Sequence, residues 1–464
     1  MCLIKTCLKK YLLEKSGPKN NKKDPDYYLH HDLLTGLPNR TLLMKDLSYC
    51  NNVSEKDNWV IIVVDIDHFK LINDSMGQDF ADELLKIVAD RLNRVFGAGN
   101  AYRMDGDEFA VIYNHNSSKA LSDSLKPIFE QLKKPYEIRR TKMHINLSMG
   151  IALCKDGKRT PEEYLNCAGI ALREVKNRGR NNYLIYKGHM SDLVKERMLI
   201  EGLLYKALEN REFEVYYQPQ MIVDSGEILG FEALIRWNSP ELGFVQPNRF
   251  IKIAEENHLI IPIGEWVLKS ACSFIKKLHQ NGYDKLNISV NVSIVQLMDD
   301  GFENSVLKIL EETGLNPERL QLEITETVLV ESYEYIKEKL VRLKKSGIRI
   351  AMDDFGKGYS SLGVLSQLPI HTLKIDKIFM ESFLQDAPKR LITDLVIQIG
   401  NKMGLDVLAE GVETQEQFEY LKKYNNIKAQ GYYFSKPVPM ESAEEMVRKL
   451  PTPPCNWKFS YNMP

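Results

Sequence analysis

Between residues 213 and 437 the sequence repeats one pattern eight times: a short strand-like run, then a helical or turn-rich stretch. The runs are EVYYQPQ, GFEALIRW, LNISVNVS, LQLEITE, IRIAMDDF, TLKID, DVLAEGVE and AQGYYFSKP. Eight runs over this length predict a (β/α)₈ barrel, which takes about 250 residues. Nearly every run closes on a group able to bind a metal or carry a proton. In order these are Gln218, Glu232 with Arg236, Asn291, Glu323 with Glu326, Asp353 with Asp354, Lys374 with Asp376, Glu410 with Glu413, and Gln430. A barrel gathers its strand ends on one face, so these side chains are expected to share one pocket.

Acids packed that closely repel unless cations neutralise them. Carboxylate and amide oxygens suit Mg²⁺ or Mn²⁺, and six of them are enough for two ions. Two ions can activate a bridging water and stabilise an in-line phosphoryl displacement. A lysine among the acids could orient that water, and Arg236 suits a phosphate oxygen. A single strand-end acid is ordinarily solvated or caps a helix, and Asp353–Asp354 alone could be such a cap. Asp376 and Glu413 read equally well as structural partners of Lys374 or Arg236. The succession of such ends carries the argument.

The remaining chain divides into an N-terminal helix and linker (1–28), a first α/β domain (29–187), a connecting helix (188–212), the barrel (213–449) and a proline-rich tail (450–464). The whole is 464 residues, with 62 Lys and Arg against 63 Asp and Glu and a formal net charge of −1. That balance gives no general attraction to a nucleic-acid polymer or anionic lipid. The seven cysteines are scattered without a C-x-x-C pair, and read as reduced thiols in the cytoplasm. No apolar run is long enough to span a membrane. The start, MCLIKTCLKKYLLEK, reads as an amphipathic helix or the end of a helix from a longer sensor; in the latter case membrane association is expected.

The motifs of the second half resemble those of the EAL family of cyclic di-GMP phosphodiesterases. They are EALIRW (232–237), NVS (291–293), LEITET (322–327), DDFGKGYSSL (353–362), LKID (373–376), AEGVET (409–414) and QGYYFSKP (430–437). The resemblance implies that Glu232, Asn291, Glu323, Asp353, Asp354 and Glu410 hold two Mg²⁺ or Mn²⁺ ions. It implies that Lys374 contacts the attacking water and that Glu326 holds the DDFGKGYSS loop. Gln218, Arg236, Asp376 and Gln430 are implied to line the dinucleotide site, and Glu410 and Glu413 to serve the catalytic centre. None of these positions departs from the family pattern; His371, before LKID, stands where an acid is frequent.

In the first half, NWVIIVVDID reads as a buried strand ending in acids, and AYRMDGDEFAVIYN as a hairpin around Asp-Gly. Strand-end acids Asp65, Asp107 and Glu108 predict a hard-cation site, since Mg²⁺ usually arrives with phosphate. Lys176 and Arg180, four apart on the last helix, are expected to share a face that could grip a triphosphate.

These features resemble the GGDEF family of diguanylate cyclases, with DLLTGLPNR (32–40), DIDHFKLIND (65–74), RMDGDEF (103–109) and KNRGRN (176–181). The resemblance implies an α/β domain with a central, mostly antiparallel sheet. It implies metal binding by Asp65 and Asp107, guanine contacts from Asn73 and Asp82, a place for Glu108 in the catalytic core, and phosphate contacts from Lys176 and Arg180. Three features depart from the family. Asp105 replaces the first signature glycine, GQDFAD (77–82) lacks a histidine and a glycine, and Phe96 and Gly99 stand where R-x-x-D is usual.

The expectation is a metal-dependent phosphodiesterase that opens cyclic di-GMP to linear pGpG. Its GGDEF-like domain is expected to bind GTP with Mg²⁺ and to regulate the barrel, with little cyclase activity. A homodimer is expected. The competing expectations are a bifunctional cyclase/phosphodiesterase and a non-enzymatic cyclic di-GMP receptor.

Overall fold

A computed structural model describes residues 25–53, 59–115, 120–139, 141–154, 159–326, 333–356, 365–381 and 383–449. The expected N-terminal helix, most of the following linker, the C-terminal tail and most of the DDFGKGYSSL loop lie outside these residues. The chain divides into two compact units, Met1–Glu196 and Arg197–Pro464. The helix His189–Ala207 carries the chain from one to the other.

In the first unit the apolar run Trp59–Ile66 forms β1, buried along its length. It pairs antiparallel with β3 (Glu108–Asn114) and with β6 (Leu147–Cys154). Outside these lie β2 (Ala101–Asp105), antiparallel to β3, and β7 (Tyr183–Ile185), parallel to β6. The sheet order is β2-β3-β1-β6-β7, and a separate hairpin joins β4 (Tyr136–Ile138) to β5 (Thr141–Met143). Strand alternation splits β1 between two cores. Val60, Ile62 and Val64 pack with helices Gln78–Phe96 and Leu121–Leu132. Ile61 and Val63 pack with helices Arg40–Val53 and Pro161–Asn177.

Helix Pro161–Asn177 begins at a capping box made by Thr160 and Glu163. It stops at Asn177, with Arg178 as its C-cap and Gly179 as the terminating residue that the sequence pattern predicts. Gly179 (φ 104°), Arg180 (φ 64°) and Asn181 (φ 47°) are all left-handed, and the Arg180 N–H returns to the Val175 carbonyl at 3.0 Å. Lys176 and Arg180 therefore do not share a helical face: the helix unwinds between them.

The second unit is an eight-stranded ring among the described residues. It comprises β8 (Phe213–Ile222), β9 (Ile228–Ser239), β11 (Asn287–Asn291), β12 (Leu320–Thr325), β13 (Arg349–Phe355), β14 (Thr372–Ile375), β15 (Asp406–Ala409) and β16 (Ile427–Ala429); β10 (Gly243–Val245) adds to the outside of β9. Helices follow the strands, as in Ile260–Gln280 after β9 and Ala387–Lys402 after β14.

Two details differ from the expected barrel. First, β8 runs antiparallel to both neighbours, β9 and β16. Only residues 223–227 separate β8 from β9, and a parallel crossover needs a dozen or more. Gln218 therefore reaches the pocket from within its strand, opposite Glu232, and not from a strand C-terminus. Second, the last strand is Ile427–Ala429 and ends before QGYYFSKP, which is irregular.

One close approach in the first unit is testable. A Cβ at Gly150 on β6 would lie 2.0 Å from the Ala168 carbonyl oxygen and 2.2 Å from the Leu172 nitrogen. Both are helix backbone and cannot step aside. Gly150→Ala is expected to destabilise the first unit by roughly 1–3 kcal/mol, read as a lower denaturant midpoint.

Candidate active site

The barrel pocket is built around one buried cation. Lys374 on β14 is fully buried, and its Nζ lies 2.6 Å from Glu410 Oε1, 3.3 Å from Asp353 Oδ2 and 3.9 Å from Glu232 Oε1. It also donates to Glu323 Oε2. Four carboxylates from four strands thus face one ammonium. Burial alone would depress the lysine's pKa; Asp353, Glu232, Glu323 and Glu410 outweigh it and hold the pKa well above its ordinary value. The surplus negative charge shows on the acids. Burial pushes the Glu323 carboxyl up to about 8 against the pull of Lys374, and raises Glu410 well above the carboxylate range.

The amide groups join the same ring. Asn291 Nδ2 donates to Glu232 Oε1 at 2.6 Å. Gln430 Nε2 donates to Glu232 Oε2 at 2.6 Å and to Gln218 Oε1 at 2.9 Å. Gln218 Nε2 donates in turn to the Ser435 carbonyl at 3.0 Å. Asp353 and Asp354 sit at a bulge where the β13–β14 register slips between Met352 and Phe355, and Asp354 is left-handed (φ 57°). A bulge suspends the alternation of a strand, so adjacent acids need not point to opposite faces. Glu326 Oε2 accepts from the Gly356 N–H at 3.1 Å, which ties it to the first described turn after those acids.

Three other expected residues make contacts of a different kind. Asp376 is buried and caps the helix Lys377–Met380, its Oδ1 accepting from the Ile378 N–H at 2.8 Å. The Glu413 side chain is exposed beyond β15. Arg236 is half-buried with its guanidinium 5.4 Å from the Tyr216 ring; burial depresses its pKa, opposed by Tyr432, Tyr216 and Glu232. A cavity of about 500 Å³ lies beside it, lined by residues including Leu234, Phe250, Ile263, Asn291 and Ile294.

The donor set fits a hard divalent cation in its chemistry. Among the described residues Glu323 Oε1 is buried without a hydrogen-bond partner, and the acids outnumber the single ammonium they face four to one. The present arrangement is centred on the lysine: among the described residues, no three Asp, Glu, His or Cys side chains are grouped so as to hold an ion.

In the first unit Asp65 ends β1 beside Glu108 of β3, and Lys176 Nζ donates to its Oδ2 at 2.5 Å. Burial pushes the Asp65 carboxyl up to about 6 against the pull of Lys176. Arg103 collects the neighbouring acids. Burial depresses its pKa, and Asp32, Asp107, Asp82 and Asp105 pull it back up. Asn73 lies on the helix Phe69–Met76. Asp105 is exposed, and its Oδ1 accepts from the Gly106 N–H at 2.9 Å within the hairpin turn.

A cavity of about 730 Å³ borders this hairpin, lined among others by Arg40, Asp105, Glu108, Arg173, Lys176 and Lys195. The sequence reading missed Arg40, Arg173 and Lys195, which come from three separate helices; Arg40 closes the DLLTGLPNR motif, and the other two belong to no motif. It also missed Asp67, which accepts from Ser148 Oγ at 2.7 Å and from the Asn181 N–H at 3.0 Å. The alternation Asp65-Ile66-Asp67 was the available signal, since it puts both acids on one face.

Two family profiles account for this architecture: "Diguanylate cyclase, GGDEF domain" over residues 29–182 and "EAL domain" over residues 202–437. The chain belongs to the EAL family and carries a GGDEF domain in tandem with its barrel. MucR of Pseudomonas aeruginosa, described as a bifunctional diguanylate cyclase/cyclic di-GMP phosphodiesterase, is 34% identical over 89% of this chain and 60% of its own length. NbdA of the same organism, a cyclic di-GMP phosphodiesterase, is 34% identical over 90% of this chain and 54% of its own. The chain thus spans between half and two thirds of these relatives. A solved structure, the MucR phosphodiesterase in complex with cyclic di-GMP, is 36% identical with a TM-score of 0.51, covering 53% of this chain and 99% of that one. Among the described residues no helix is long and apolar enough to cross a membrane.

Asp65 supplies a pH test of the first site. Its folded pKa of about 6 exceeds the ordinary 3.8, so its contribution to stability is complete below about pH 4 and is lost as pH rises through 6. Asp65→Asn does not titrate. In chelator, its melting temperature relative to wild type is expected to climb between pH 4 and pH 7.5; a pH-independent difference would contradict the assignment.

Proposed function

We propose that the barrel is a metal-dependent phosphodiesterase that hydrolyses cyclic di-GMP to linear pGpG, and that the GGDEF-like unit binds GTP with Mg²⁺ and regulates it. The ring of Glu232, Glu323, Asp353 and Glu410 around Lys374 carries this reading. Glu232, Asn291, Glu323, Asp353, Asp354 and Glu410 would hold two Mg²⁺ or Mn²⁺ ions. Such ions supply an activated water and charge stabilisation at the phosphoryl group.

The chain's own groups do the rest. Lys374, relieved as sole counter-charge, orients the water that attacks phosphorus. Arg236 holds a phosphate oxygen, and the apolar cavity beside it suits a flat base. Gln218 and Gln430 orient the dinucleotide through their amides. The new P–O bond forms as the P–O3′ bond opens, and the leaving oxygen takes up a proton. Relatives named as cyclic di-GMP phosphodiesterases support the substrate class.

The test gives purified protein cyclic di-GMP or GTP separately, with Mg²⁺ or Mn²⁺, and resolves products by chromatography. Wild type is expected to yield pGpG, and Glu232→Ala to lose at least a hundredfold in turnover, about the worth of a displaced catalytic group. Lys374→Ala should lower the rate yet keep cyclic di-GMP binding; collapse of binding would reassign the lysine. A receptor that only binds would show binding without pGpG.

For the first unit, Arg40, Arg173, Lys176 and Lys195 about one cavity support nucleotide binding. The Asp105 carboxylate adds negative charge where phosphates would sit. In a Glu232→Ala background, GTP alone is expected to give little cyclic di-GMP, and Asp105→Gly to give more. Vigorous synthesis without that change would make the protein bifunctional.

A further inference from the structure

Beneath the ring of acids lies a second polar layer, one alternation step lower on four strands. Ser289 is two residues before Asn291, Gln321 two before Glu323, and Thr372 two before Lys374; Gln220 is two after Gln218 on the reversed β8. All four are buried, at 1%, 7%, 2% and 2% exposure. Buried polar groups are costly unless every one is satisfied. These satisfy one another in sequence. Thr372 Oγ1 donates to Gln321 Oε1 at 2.8 Å, and Gln321 Nε2 donates to Ser289 Oγ at 3.0 Å. Ser289 Oγ donates to Gln220 Oε1 at 3.5 Å, and Gln220 Nε2 donates to Gln430 Oε1 at 3.1 Å. Gln430 Nε2 then donates to Glu232 Oε2.

We propose that Thr372, Gln321, Ser289 and Gln220 form a one-way hydrogen-bond relay that sets the orientation of the Gln430 amide and thereby positions Glu232 for ion binding. The inference rests on the metal-dependent reading above and assigns positioning residues to it. Thr372 starts the series as a donor, and Gln321, Ser289 and Gln220 each accept on one side and donate on the other, always toward Glu232. The Gln430 backbone is already fixed. Its N–H donates to the Ala409 carbonyl at 2.9 Å, its carbonyl accepts from the Val412 N–H at 3.1 Å, and a Cβ on the next residue, Gly431, would strike the Val412 carbonyl at 2.1 Å. Only the direction of the amide is left to be decided. Turned over, it would set its oxygen against the Glu232 carboxylate and its NH₂ against that of Gln220. The donor from Gln220 excludes that state, so Glu232 keeps a charge-assisted bond and a single carboxylate orientation.

The test measures Mn²⁺ binding to the full chain directly, by electron paramagnetic resonance and calorimetry, alongside melting temperature and cyclic di-GMP turnover. Gln220→Met keeps volume but can pass no hydrogen bond onward, and is expected to weaken Mn²⁺ binding about tenfold, the worth of one bond to a charged group. Ser289→Ala, one link further from Glu232, should weaken it less, and it carries the test if Gln220→Met fails to fold. The control is Thr393→Val, which removes an equally buried hydroxyl whose Oγ1 donates to the Lys389 carbonyl outside the relay. It should lower the melting temperature yet leave Mn²⁺ affinity unchanged. Wild-type affinity in both relay variants, or equal weakening in the control, overturns the relay while the phosphodiesterase reading stands. A wild-type chain that binds no Mn²⁺ overturns both.

Discussion

The second unit depends on an ammonium enclosed by carboxylates. A lysine without solvent is tolerable only because acids from β9, β12, β13 and β15 converge on it, and those acids are tolerable only because it is there. Neither side can be removed without leaving the other charged and dry. This mutual requirement ties the strands together at the pocket, where the amides of Asn291 and Gln430 also donate to Glu232. It also bears on Glu323 and Glu410, where burial outweighs the pull of Lys374 and both carboxyls hold protons more tightly than free ones do.

Most of the barrel was legible because its signal is periodic. Apolar runs of strand length, each ending on a polar group, place those groups on a common rim whatever the details of the loops. What escaped was of two kinds. The reversed direction of β8 was written in the five residues between Ile222 and Ile228, a connection too short for a crossover, but the expectation of a uniform barrel overrode it. The buried layer of Gln220, Ser289, Gln321 and Thr372 was written as polar residues recurring every second position inside apolar strands.

In the first unit the acids of the hairpin were legible, and of the cations facing them only Lys176 was. Arg40, Arg173 and Lys195 lie on helices whose exposed faces carry many such charges, and only the packing of three helices brings them to one cavity. Arg180 shows the opposite failure. Its spacing from Lys176 was correct for a helix, but the helix ended first, at a glycine that admits the left-handed turn. A rule of spacing holds only as far as the element beneath it extends.

The reversed first strand bears on the order in which the barrel is made. β8 can pair with β9 as soon as both leave the ribosome, since a short turn joins them. Its other neighbour, β16, lies more than two hundred residues later: Gln430 donates to Gln218 across a sequence separation of 212. Contacts of such range form slowly and late. Until β16 arrives, β8 has an open edge and Glu232 lacks the amide from Gln430. A growing chain therefore carries almost the whole barrel before its pocket is complete, and the last strand alone shuts the ring.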